Sequence, residues 1–238
     1  MYEWDACPSG VLDSPPSSLL DFSATPNMPA ESLTRMAPYF KPVNAGNVTI
    51  ELTACELLTF EPLNTGNFVI DGGDATYVII LNPTNAPPAG KSLRMLGGKV
   101  SVIGGVNYGP GPILFENGDG ATLLAFLENQ GTCEFLGGSD IQVISVVNAA
   151  TGTILFQDAT AALYNVSNEG EVLFEGGSYE LSTITNDGPI TFSSVTTVSL
   201  VDVANTGEVS IDGGSFTWLG GSNLGPVSVS NASQARAR

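Results

Sequence analysis

Residues 205–216 read NTGEVSIDGGSF and residues 64–75 read NTGNFVIDGGDA, near-copies separated by about 140 positions in a chain of 238 residues. Self-similarity of this kind is the mark of a repeat architecture, so the period has to be found before any motif is weighed. With the glycine of NTG as anchor, equivalents stand at Gly46, Gly66, Gly111, Gly131, Gly152, Gly170, Gly188, Gly207 and Gly225. Lys91 fills the remaining place, because KSLRMLGGKVSVI aligns with the stretch that starts at Gly131. The ten anchors are spaced 20, 25, 20, 20, 21, 18, 18, 19 and 18 residues apart.

The alignment gives each column a physical identity. Two residues after the anchors stand Val48, Phe68, Leu93, Ile113, Cys133, Ile154, Val172, Ile190, Val209 and Val227, all apolar. Four residues after them stand Ile50, Ile70, Met95, Phe115, Phe135, Phe156, Phe174, Phe192, Ile211 and Val229, again all apolar. Alternation of this kind describes a strand with one buried face. Two residues before the anchor, Asn fills seven of ten places: Asn44, Asn64, Asn129, Asn168, Asn186, Asn205 and Asn223. Asn tolerates tight-turn backbone angles, and stacked Asn side chains hydrogen-bond from one layer to the next. Glycine-rich turns such as EGGSY (175–179) and DGGSF (212–216) close the strand.

The fold this predicts is all-β: a single-stranded parallel β-helix, or β-solenoid, of about ten coils of 18–25 residues. Coils spaced by ~4.8 Å build a rod roughly 45 Å long. The solenoid is expected over 46–238, with 1–45 as an irregular amino-terminal cap. Within that cap, a short helix is expected after Pro29 and before Pro38. The five Phe from Phe115 to Phe192 are expected to stack as core, one per coil. NPTNAPPAG (82–90) is read as an insertion that lengthens the second coil to 25 residues.

Charge excludes one class of partner. The net charge is −17 with only seven Lys and Arg, and no basic residue lies between Lys99 and Arg236. Nucleic-acid binding runs on basic side chains, so no nucleic-acid partner is expected. There is no apolar run long enough for a membrane-spanning helix. MYEWDACPSGVLDSPPSSLL lacks the basic start and apolar middle of a secretion signal, so an exported form would be a mature or processed one. Cys7, Cys55 and Cys133 have no metal-like spacing, and Cys7 with Cys55 is the pair that could bridge. The histidine count is zero, which removes imidazole chemistry.

The repeat grammar, N-x-G followed by alternating apolar residues and a Gly-Gly turn, resembles the right-handed β-helix passenger and haemagglutinin-type repeats of surface adhesins. The resemblance covers about 190 of the 238 residues. It implies a non-enzymatic structural or adhesive rod on a cell or virion surface, or outside the cell, that works through protein contacts or self-association. No catalytic residue, cofactor or resident metal is expected on that reading. Two surfaces are candidates. Leu114, Leu155 and Leu173, with Leu136 nearby, point outward as an apolar stripe. Trp218, Val227 and Val229 are expected at an open carboxyl end of the stack.

Other parallel β-helices resemble polysaccharide lyases and galacturonan hydrolases, and that resemblance implies acidic clusters, Ca²⁺ and a basic residue on an outer strand face. The candidates are Glu51, Asp71 and Asp74 for Ca²⁺, with Arg94 as base and Lys99 beside it. The alternative function is therefore a polysaccharide-acting enzyme or carbohydrate-binding module of the pectin-lyase-like type, with a glycan as partner. Sequons at Asn47, Asn165 and Asn231 arise readily in a Ser/Thr/Asn-rich repeat. The column three after the anchor lacks the regular Thr array of an ice-binding face.

Overall fold

A computed structural model describes residues 2–4, 20–21, 39–40, 42–52, 57–116 and 121–237. The chain winds as a parallel β-solenoid of about nine turns. From Pro42 onward each strand pairs in parallel with its equivalents one coil away. A representative coil has three strands: β1, Thr153–Gln157, on the first face, β2, Thr160–Tyr164, on the second, and β3, Ser167–Asn168, on the third.

Both apolar columns of the first face are in register along the rod. Val48, Phe68, Leu93, Ile113, Cys133 and Ile154 are successive partners, as are Ile50, Ile70, Met95, Phe115, Phe135 and Phe156. The five Phe stack nearly face to face, with ring centroids 4.5, 4.7, 5.0 and 4.5 Å apart and interplanar angles of 8° or less. Tyr179 enters from the second face, tilted 51° against Phe174 at 4.4 Å, and its neighbour one coil earlier is the small Ala161. Burial of each Phe contributes about 2–3 kcal/mol, and the shared period sums these contributions along one axis.

The Asn column is complete, not seven places in ten. Asn85, Asn107 and Asn148 occupy the three missing positions, so Asn44 to Asn223 form one ladder whose Nδ2 atoms donate to the next Oδ1 at 2.6–2.9 Å. Each ladder Asn from Asn44 to Asn205 is buried. The same side chains close the third corner, as when the Gly66 N–H donates to Asn64 Oδ1 at 3.2 Å and Asn148 Nδ2 donates to the Glu171 carbonyl at 3.1 Å.

The ladder also corrects the reading of 82–90. Thr84–Asn85 is a strand in register with Leu63–Asn64 and Val106–Asn107, so only the connection from Asn85 to Lys91 is extra. The ten ladder positions bound nine intervals, in keeping with about nine turns. The anchor glycines follow from the tight stacking of the third corner. A Cβ on Gly170 would overlap the carbonyl oxygen of Gly152, and one on Gly188 that of Gly170.

The other two corners turn on left-handed residues, one where the corner is built of non-glycine residues and two in succession where it is Gly-Gly, as at Gly176–Gly177. Gly137, Asp158, Gly176, Ser194 and Gly213 take this role at the first corner, and Asn82, Gly104, Phe126, Ser145, Asn165, Thr183 and Asp202 at the second. Most of their N–H groups stay in the coil-to-coil ladder, as Thr183 N donates to the Val201 carbonyl at 3.0 Å. Phe126 (φ 57°) and Thr183 (φ 57°) are bulky or branched residues in a region that suits Gly and Asn.

At the amino end, Tyr2–Trp4, Leu20–Asp21 and Tyr39–Phe40 pair with Ile50–Leu52, Pro42–Val43 and Thr59–Phe60. The coil register thus includes strands ahead of residue 46. The helix expected between Pro29 and Pro38, and Cys7 and Cys55, lie outside the described residues.

Phe156→Ala is expected to cost ~3–5 kcal/mol by opening a hole in the stack. Asn148→Ala should cost ~2–4 kcal/mol by removing the buried bonds that Asn148 accepts from Asn129 Nδ2 and donates to Asn168 Oδ1. Denaturant unfolding monitored by circular dichroism checks both. Thr183 is exposed and sits at positive φ; Thr183→Gly should raise stability by about 0.5–1 kcal/mol through relief of backbone strain.

Candidate binding surfaces

Inward columns are consumed by packing, so recognition has to use what faces out. On the first face, Leu114, Leu155 and Leu173 do share one outward column, but Glu134 lies between the first two in register. All four, and Leu136 beside them, are half-buried by their neighbours. The stripe is therefore a leucine patch broken by a carboxylate. Burial among these leucines, and secondarily the charge of Glu116, pushes the Glu134 carboxyl above its usual range.

One coil earlier Arg94 donates to Glu116 at 2.6 Å. The guanidinium drawn as a base in the polysaccharide-lyase alternative is thus held by a carboxylate on the next coil. Of the drawn Ca²⁺ ligands, Glu51 and Asp71 are in register on adjacent coils. The side chains of Glu51 and Asp74 lie outside the described residues, and among the described residues no group of three or more His, Cys, Asp or Glu could hold a metal. Lys99 is exposed on the second face. Cys133 is a free, fully buried thiol pushed up to about 12, chiefly by burial, so it is core and not a nucleophile.

At the carboxyl end Trp218, Val227 and Val229 differ in exposure. Val227 and Val229 are 37% and 42% exposed on the last first-face strand, Val227–Ser230. Trp218 is only 9% exposed, because Gln234–Ala237 pairs with Ser215–Trp218 and the indole N–H donates to the Gly220 carbonyl at 2.8 Å. Trp218 and both valines nevertheless line one open depression of about 650 Å³. Asp212, half-buried at this end, is held below the usual carboxylate range by hydrogen bonds first from Asn231 (2.6 Å) and then from Ser230 (2.9 Å).

The second face carries a surface that the sequence reading did not anticipate. There, Gln142, Ala162 and Glu180 are consecutive in the central outward column, so a methyl group lies between two long polar side chains. Thr160, Ser178 and Thr197 form the column on one side of it, and Tyr164, 37% exposed, stands on the other. The result is a shallow groove of about 510 Å³. The signal was present in the sequence as the small Ala162 in register with larger residues, but only once the second strand of each coil is aligned.

Comparison with family models, with curated proteins and with solved structures finds no match. No helix among the described residues is long and apolar enough to cross a membrane.

A carboxyl raised by burial is stabilising for the folded state when protonated, and its penalty appears as pH rises through the folded value. Glu134→Gln should therefore raise the melting temperature at neutral pH. The gain should close as pH falls below the ordinary carboxylate range. Melting curves across pH check it, and an equal gain at acid pH would assign the effect to packing.

Proposed function

We propose that the protein is a non-enzymatic structural or adhesive β-solenoid that serves as a surface or assembly component through contacts along the rod. The observation that carries this reading is the unbroken Asn ladder from Asn44 to Asn223 beside a five-ring Phe stack. These interactions repeat coil after coil and leave the outward columns free to vary, which suits a rigid carrier of binding surfaces. The likeness of the repeat to haemagglutinin-type adhesin sequences supports the adhesive part and a place on a cell or virion surface. Arg94, held by Glu116 at 2.6 Å, weighs against the lyase-like alternative.

Assembly would use the two apolar surfaces, the leucine patch and the exposed edge at Val227 and Val229. Light scattering over a concentration series tests this. The expected result is a mass that climbs above the 24.6 kDa of one chain and falls back when Val227 and Val229 are changed to Asp, or when Leu155 and Leu173 are changed to Ser. A constant monomer that cleaves polygalacturonate in the presence of Ca²⁺ would overturn the reading in favour of the enzyme.

A further inference from the structure

The groove on the second face has three properties that together define a ligand. Its floor is the methyl group of Ala162, flanked by Gln142 and Glu180 one coil to either side. Coils are ~4.8 Å apart, so these two polar side chains stand roughly 10 Å from each other across a dip of one small residue. A flat ring fits that interval. Its long sides differ: exposed Tyr164 supplies an aromatic surface on one, and the Thr160, Ser178 and Thr197 column supplies hydroxyls on the other.

The second property is unused hydrogen-bonding capacity. Elsewhere outward polar side chains bond coil to coil, as Tyr77 with Ser101 (2.7 Å), Gln157 with Glu175 (2.8 Å) and Asn165 with Ser145 (3.0 Å). Among the described residues, Thr160, Ser178, Thr197 and Glu180 make no such side-chain bond. They present donors and acceptors to whatever occupies the groove. The third property is charge. No Lys or Arg lies between Lys99 and Arg236, and Asp140 and Glu180 line the groove, so an anionic ligand would meet repulsion with no counter-charge.

We propose that this groove binds a neutral oligosaccharide, with one sugar ring over Ala162. The apolar face of the ring lies toward Tyr164, and an aromatic side chain with a polar tip suits a surface that is apolar on one side and wet on the other. Sugar hydroxyls donate to the Glu180 carboxylate, a charge-assisted bond, and exchange hydrogen bonds with the Gln142 amide and the Thr/Ser column. The hydroxyl column runs along the rod from Thr160 through Ser178 to Thr197, which matches a linear chain of sugars. This assignment rests on the adhesive part of the proposed function and names its ligand class.

Isothermal titration of the 238-residue chain with cellohexaose, mannohexaose, xylohexaose, maltohexaose and polygalacturonate tests it. At least one neutral hexasaccharide should bind with a dissociation constant in the millimolar range or below, and polygalacturonate should not. Ala162→Arg, which fills the dip, and Tyr164→Ala should each weaken binding about tenfold or more, with the melting curve unchanged. Glu180→Gln gives a second, near-isosteric reading should either variant alter the melt. Glu169→Gln, an exposed residue at the third corner, should bind as the unaltered chain does. Absence of binding to all four neutral sugars, equal binding of polygalacturonate, or unchanged binding in the three groove variants would each overturn the proposal. Assembly measured by light scattering is independent of these outcomes, so failure of the structural reading is separately visible.

Discussion

The register of one coil on the next is the constraint on which everything else depends, and the buried Asn ladder is what enforces it. A parallel sheet with an apolar face tolerates sliding in principle, because one Val or Ile packs almost as well as another. An Asn amide does not. Its Nδ2 must find the next Oδ1 at 2.6–2.9 Å in a buried site, so a coil shifted by one residue leaves two buried polar groups without partners. The backbone bonds from the same residues to the third corner tie register to turn geometry. The ladder thereby chooses one arrangement from many that the hydrophobic columns alone would allow.

The two stacks then divide the work. The Phe column contributes apolar burial and aromatic contact along the axis, and the Asn column contributes specificity. Their combination explains why coils of 18 and 22 residues coexist in one rod. Extra residues go between Asn and anchor, as from Asn85 to Lys91 and from Asn107 to Gly111. That connection lies outside both stacks, and its length changes neither of them. Strain is confined in a similar way to left-handed residues at the other two corners, where Phe126 and Thr183 accept an unfavourable backbone so that their ladder hydrogen bonds stay intact.

Much of this was legible in the sequence for a definite reason. The distance from the anchor to the two apolar columns of the first strand never varies, so those columns align without gaps and match the observed partners residue for residue. Asn85, Asn107 and Asn148 escaped because the variable connection moves them four to six residues from their anchors instead of two. The same variation made a ladder strand, Thr84–Asn85, look like part of an inserted loop. Trp218 looked uncovered because ASQARAR has little apolar character, yet Gln234–Ala237 covers it through backbone pairing, to which side-chain hydropathy is blind.

The candidate surfaces were harder to read, and the difficulty is physical. Inward positions must satisfy their neighbours above and below, so selection for the fold makes them periodic. Outward positions carry no such demand, and a binding surface appears as a departure from its column, not as a motif. Glu134 among leucines and Ala162 between Gln142 and Glu180 are departures of this sort. Either looks unremarkable along the chain, where its neighbours are residues that point the other way. Each acquires meaning only against the residues about 20 positions before and after it, once the coil that separates them has been measured.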